Sequence, residues 1–391
     1  MVRGTGYLWL YMSIAVVAAC LVGNASRSLW HPLARVTFRL VEGLLGLFTS
    51  RVIANPATMT IGTGSFQVEI ADECSGFEGA GLMLAFGVVW LSLFRKECRF
   101  PQAFLLIPAG VAVIYLLNAV RIAALILIGN AGAAGIALGG FHSQAGWIAL
   151  NVVALGFSVA ARRMPYFTLR VPHTEPVAES GENPTAAYLI PFLVILGAGM
   201  VSGALSSSFE WLYALRFFAA AGALWAFRAR YSNLNWRVGW LGPSIGAGVF
   251  LIWIALDRFT NSQVVDAIPG ALSASSAVAR ITWITFRVLA AVVTVPLAEE
   301  LAFRGFLLRR LISPDFESVP FTRFTWFSLL ASSAIFGALH GGLWLAGIAA
   351  GILYSIAMIR RGRIGEAVAA HATTNALLAG YVLISGQWHL W

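Results

Sequence analysis

An all-α polytopic membrane protein is the fold class this sequence predicts, and three observations predict it. Hydrophobic residues make up 59% of the 391 positions and charged residues only 11%. The apolar residues fall into many separate runs near the length of about 20 that crosses a bilayer as a helix. The formal charge of +9 is nearly all arginine set in short clusters between those runs. Such clusters carry topology information, not the one-sided basic footprint of a nucleic-acid binder, so no nucleic-acid partner is expected.

The elements justify themselves in order. Residues 7–22 follow a single basic residue, Arg3, and end without a small-residue cleavage site, so they read as an uncleaved first span. Residues 26–50 interleave Arg27, His31, Arg35 and Arg39 with Leu, Val and Phe. That charge load suits an interfacial amphipathic helix better than a second span. Within 55–70, the later part of T-I-G-T-G-S-F-Q-V-E-I alternates apolar and polar, which predicts a short β-like segment outside the membrane before Cys74. Residues 79–94 form a span ending at Arg95, Lys96, Glu97, Cys98 and Arg99; this cluster belongs in the cytoplasm and puts Cys74 on the extracytoplasmic side. Residues 101–128 return across the membrane, roughly 40 Å if wholly helical. A Gly- and Ala-rich loop at 130–140 then carries His142 to the side of Cys74, and 147–160 spans inward to Arg162 and Arg163. Arg27, Arg35, Arg39 and Arg51 are left outside by this topology, against the usual charge rule.

Residues 164–185 are Pro-rich, polar and aperiodic, which marks a cytoplasmic linker and domain boundary. Beyond it apolar runs resume at 187–205, 211–227, 238–256, 281–297, 324–339, 343–359 and 364–384, a second bundle whose cytoplasmic side is marked by Arg228, Arg230 and the basic stretch 360–363. Two transmembrane helical bundles are thus expected, 1–165 and 187–391, joined by a linker at 166–186. Three cysteines, Cys20, Cys74 and Cys98, are too few and scattered for a disulfide framework or a metal knuckle, and Cys20 and Cys98 read as structural.

The first bundle is organised around A-D-E-C-S-G-F-E-G at 71–79, a polar island where a hydrophilic segment meets a span. A lone cysteine in an apolar protein is by default a small buried hydrophobe. Cys74, however, lies just before an apolar helix, where helical N–H groups favour a thiolate. Asp72 and Glu73 oppose ionisation, so a cation is needed from elsewhere: Arg121 in N-A-V-R-I or His142 in F-H-S-Q. The order C-S-G at a span entrance, then N-A-V-R, then F-H resembles the exosortase family, bacterial membrane cysteine transpeptidases that process carboxy-terminal sorting signals. The resemblance covers about residues 1–165. It implies Cys74 as nucleophile, Arg121 as oxyanion partner and His142 as proton manager.

The second bundle carries ionisable groups in three apolar runs: A-E-E-L-A-F-R with Glu299, Glu300 and Arg304, F-G-A-L-H with His340, and H-A-T-T-N with His371 and Asn375. Positions four apart share a helix face, so Arg304 can neutralise Glu300 while Glu299 faces elsewhere, toward His340 and His371. Alone, each piece could be a structural ion pair or a satisfied core histidine. Together, in membrane spans, they point to function. E-E-x-x-x-R, F-x-x-x-H and H-x-x-x-N in this order resemble the CPBP family of CAAX prenyl endopeptidases and bacteriocin-processing relatives. The resemblance covers about 187–391. It implies that Glu299 activates a water, His340 supports it, and His371 with Asn375 cradles the oxyanion.

Both resemblances in one chain are similar to the fused exosortase E class of VPEID-CTERM sorting systems. That implies a peptidase of the bacterial inner membrane whose partners are secreted proteins with a carboxy-terminal motif, transmembrane helix and basic tail, besides membrane lipids. Two other classes stand beside it. A proton-coupled transporter would also bury acids and histidines, but predicts paired discontinuous spans, and no repeat relates the halves. A non-catalytic immunity or scaffold protein would keep the fold without the chemistry. No cofactor is expected. Glu299, His340 and His371 have the ligand types of a catalytic zinc site, but with Glu299 as a ligand and Glu300 taken by Arg304 no general base would remain, so a metal-free site is the expectation.

Overall fold

The computed structural model describes residues 27–169, 183–260 and 268–391. The expected first span at 7–22 with Cys20, most of the linker at 166–186, and the side chains of His31, Asp72 and Glu73 lie outside the described residues. The chain is an all-helical membrane protein with one small sheet, and seven of its described helices are long and apolar enough to cross a bilayer. It divides into two compact units: Met1–Glu175 with Ala204–Ser208, and Pro176–Gly203 with Phe209–Trp391.

In the first unit, α1 (Arg27–Gly46) is the expected amphipathic helix. Ala34, Phe38, Val41 and Leu45 bury one stripe, while Arg35 and Arg39 stay exposed. The β-like segment is a three-stranded antiparallel meander, β1 (Ile53–Asn55), β2 (Thr60–Gly62) and β3 (Gln67–Glu69). Ile61 of β2 opposes Val68 and is fully buried with the α1 stripe against Ala119, Ile122 and Ile126. Three apolar helices complete the unit: α2 (Phe77–Leu93), α3 (Leu106–Asn130) and α4 (His142–Arg163). Met83, Trp90, Ile114, Val153 and Phe157 form their shared core.

The expected loop at 130–140 is instead mostly helical. A short turn, Ala134–Ile136, and a widened turn, Ala137–Phe141, run directly into α4, so Ala134–Arg163 is one span. Alanine and leucine are good helix formers, and Gly139 absorbs the irregularity at φ −84°, ψ −105°. Cys98 is buried in the α2–α4 core, its backbone bridged to Thr168. Burial and Glu97 push its thiol up against a smaller opposing pull from Arg162, which fits an inert structural cysteine.

The second unit consists of α5 (Pro184–Ala204), α6 (Ala214–Ala226), α7 (Leu241–Thr260), α8 (Ala277–Arg310), α9 (Trp326–Ala338), α10 (Trp344–Arg361) and α11 (Ile364–Ser385). Every apolar run expected between 187 and 384 is a helix, although α6 and α9 are shorter than a full crossing. The run expected at 281–297 extends to 34 residues, because the polar A-E-E-L-A-F-R continues the helix instead of ending it. Inside α8, Ala290–Thr294 and Leu301–Leu307 widen to π turns around Val295–Glu300. Pro296 has no N–H to close a regular turn, which is a local cause for the first of them.

Small residues let these helices touch. A Cβ on Gly347 would lie 2.8 Å from Gly337, and one on Gly351 would lie 2.9 Å from Ser333, so α9 and α10 meet through positions four apart on each helix. The α7–α11 contact is closer still: a Cβ on Gly246 would stand 2.2 Å from the Ala370 carbonyl. Glu366 fixes the start of α7, accepting the backbone N–H groups of Gly239 and Gly242 at 2.8 Å each.

Candidate active sites

In the first unit Cys74 lies on a tight turn, Asp72–Ser75, its N–H bonded to the Ala71 carbonyl at 2.9 Å. Gly76 follows at φ +88°, the left-handed conformation that breaks this turn from α2. Cys74 therefore lies just before α2, as the sequence suggests, on a short turn of its own. Its backbone is clamped from two other helices. Asn118 Nδ2 of α3 donates to the Cys74 carbonyl at 2.9 Å, and Thr37 Oγ1 of α1 donates to the Ser75 carbonyl at 2.8 Å.

Cys74, Arg121 and His142 line one cavity of about 250 Å³, with Glu78, Asn118 and Trp147 among its other walls. Arg121 rises from α3 and His142 opens α4, so three separate elements supply the three residues. Arg121 Nε is buried without a hydrogen-bond partner. Its Nη1 packs so closely on α4 that a Cβ on Gly146 would come within 2.7 Å. A buried guanidinium with an unused donor beside a cysteine is suited to developing negative charge on a substrate oxygen.

In the second unit Glu299, His340, His371 and Asn375 line one cavity of about 190 Å³, with Trp253, Tyr354 and Trp391 also in its wall. α9 ends at Ala338, and His340 sits in the turn before α10, lining the cavity that Glu299 reaches from mid-α8. Glu300 and Arg304 stand behind the cavity, almost fully buried and paired at 3.1 Å. Arg304 also donates to the Gly351 carbonyl at 3.0 Å and lies over the Phe336 ring at 4.4 Å.

Hydrogen-bond capacity fixes both imidazoles. The Phe336 carbonyl can only accept, so His340 Nδ1, 2.8 Å away, carries the hydrogen and Nε2 keeps a lone pair. His371 Nδ1 lies 2.9 Å from Glu300 Oε1 and likewise donates, while its Nε2 faces Glu299 Oε2 at 4.0 Å. His371 stacks on Tyr354, ring centroids 5.0 Å apart. The i,i+4 rule finds Glu300 with Arg304, but it misses Glu300 with His371, a contact between helices 71 residues apart in sequence. Asn375 Nδ2 donates to the Ala291 carbonyl in the π turn of α8 at 2.7 Å, which leaves one amide hydrogen for other use. Glu299 Oε2 is buried with no hydrogen-bond partner. Among the described residues no three His, Cys, Asp or Glu side chains are grouped closely enough to hold a metal ion.

An integral membrane protein with a thiol-bearing cavity in one helical unit and an acid–histidine cavity in the other is the class these features define. Two family models match the chain. Residues 2–159 match the transmembrane exosortase family (EpsH type), and residues 281–377 match the type II CAAX prenyl endopeptidase Rce1-like family, an arrangement consistent with a fusion of the two. The matches support a membrane protease and protein-sorting role. No curated protein and no solved structure matches the chain.

Proposed function

We propose that this chain is a protein-sorting enzyme of the bacterial inner membrane with two peptide-cleaving centres, an exosortase-like domain at 1–165 and a CPBP-type intramembrane endopeptidase at 187–391, joined by a linker at 166–186. The observation that carries this reading is that each set of candidate residues, drawn from separate elements, lines a single cavity. At the first centre the Cys74 thiolate attacks the scissile carbonyl carbon of a carboxy-terminal sorting signal. Arg121 holds the resulting oxyanion, and His142 gives the departing amine its proton as the C–N bond breaks. The thioester left on Cys74 is resolved by water or an acceptor nucleophile. The arginine clusters favour Cys74 on the extracytoplasmic side, where secreted proteins with such signals reach it.

At the second centre Glu299 takes a proton from water as the oxygen attacks a substrate peptide carbonyl, with the His340 Nε2 lone pair accepting the other water hydrogen. His371 Nε2 can donate to the oxyanion only after receiving a proton, and Glu299, 4.0 Å away, is the group that has just collected one. The remaining amide hydrogen of Asn375 is the second oxyanion donor. Glu300, engaged by both Arg304 and His371, is not available as a base. With Glu299 as the base, the site works without metal.

The test is endopeptidase activity of purified protein on a membrane-anchored peptide. Activity should survive exhaustive chelation and vanish in Glu299→Gln. One observation favours a second reading: both imidazoles hold Nδ1–H on an acceptor, the state in which Nε2 ligates metals. Loss of activity on chelation with recovery on zinc would select it and make Glu299 a ligand.

A further inference from the structure

Away from both cavities, α2 and the start of α3 form an open groove of about 580 Å³ in the first unit. Val88, Leu91 and Ser92 on one face of α2, with Arg95 and Lys96 in the turn after it, form one wall, and Phe100, Phe104 and Ile107 on the approach to and start of α3 form the other. The groove is apolar along its length and cationic at one end. Val88 is 49% and Phe104 57% exposed, so apolar surface is open to the surroundings. Arg95 and Lys96 are exposed and, among the described residues, enter no ion pair. The cations are not on a loose end. Arg99 N–H donates to the Phe167 carbonyl at 2.7 Å and Leu169 N–H to the Glu97 carbonyl at 2.9 Å, pinning the loop that follows them.

We propose that this groove binds an anionic glycerophospholipid, with one acyl chain along the apolar walls and the phosphodiester at Arg95 and Lys96. Charge complementarity selects the ligand: two adjacent cations where a helix leaves the apolar zone attract an anionic headgroup, and a zwitterionic lipid brings its own cation to the same place. The apolar walls select against soluble phosphates, which would leave them uncovered. From Val88 to Leu93 α2 rises about 8 Å, and the turn carrying Arg95 and Lys96 continues the wall beyond it, so the groove takes part of an acyl chain.

The full-length protein in phosphatidylcholine nanodiscs, with a trace of phosphatidylglycerol carrying a photoreactive group on one acyl chain, provides the test. Cross-linked peptides are mapped by mass spectrometry. Labelling should concentrate in residues 88–107, be displaced by excess unlabelled phosphatidylglycerol and persist in excess glycerol 1-phosphate. The double variant Arg95→Gln, Lys96→Gln should lower it at least about tenfold. Val88→Trp, which fills the groove and keeps both cations, should do the same. Unchanged labelling in either variant would overturn the proposal. So would equal labelling by a photoreactive phosphatidylcholine, the mark of ordinary surrounding lipid, or displacement by glycerol 1-phosphate, the mark of a soluble-phosphate site.

Discussion

His371 bonds Glu300 through Nδ1 and faces Glu299 across 4.0 Å through Nε2, and the two acids differ in what else holds them. Glu300 is anchored by Arg304, whereas Glu299 Oε2 has no hydrogen-bond partner. Substitutions should separate the two. Glu299→Gln should keep the wild-type melting temperature and lose endopeptidase activity. Glu300→Gln leaves Arg304 as an uncompensated buried charge, a loss of about 3–5 kcal/mol that calorimetry or thermal shift would read. Converting the pair together, Glu300→Leu with Arg304→Met, should recover most of that stability while activity stays low, because His371 still lacks its Nδ1 acceptor. Recovered activity would show that Glu300 merely balances Arg304. In the first unit, Cys74→Ala should abolish removal of a sorting signal and Arg121→Ala should slow it about 10²- to 10³-fold, read from the carboxy-terminal mass of a secreted reporter.

Elements aim these side chains, and single glycines set how closely the elements approach. Gly146 lets α4 lie against the Arg121 guanidinium, so Gly146→Ala should displace Nη1 by a fraction of its 2.7 Å clearance. A misplacement near 1 Å can lower a rate about 10²-fold. Sorting-signal cleavage should therefore fall while thermal stability barely changes, since the far end of an arginine can shift. The start of α7 depends on Glu366, which accepts two of its backbone N–H groups. Glu366→Ala should lower stability by about 1–3 kcal/mol, read as a drop in melting temperature. Sequence patterns located nearly all of these helices because apolar runs near twenty residues long are a strong signal. They missed helix at 134–141 and the extension of α8 to Arg310. Glycine-rich or charged stretches score as breaks until packing partners make them helical.

At the scale of the whole molecule, the two cavities belong to different compact units. In one preparation of membranes, Cys74→Ala should leave the Glu299-dependent cleavage intact, and Glu299→Gln should leave sorting-signal removal intact. Loss of both activities in either variant would mean that the centres act in series on one substrate.

The sequence by itself determined the membrane class, the positions of most helices, the amphipathic α1, the β segment before Cys74 and the Glu300–Arg304 pair. All follow from hydrophobic run length, residue alternation or i,i+4 spacing, which are local properties. Only the tertiary structure decided which polar groups meet across helices. It clamps the Cys74 turn from Thr37 and Asn118, ties His371 to Glu300, and spends one Asn375 hydrogen on the Ala291 carbonyl of a π turn. Helix rotation and depth fix such contacts, and those depend on close packing at positions such as Gly246, Gly347 and Gly351, where a single added methyl group would collide.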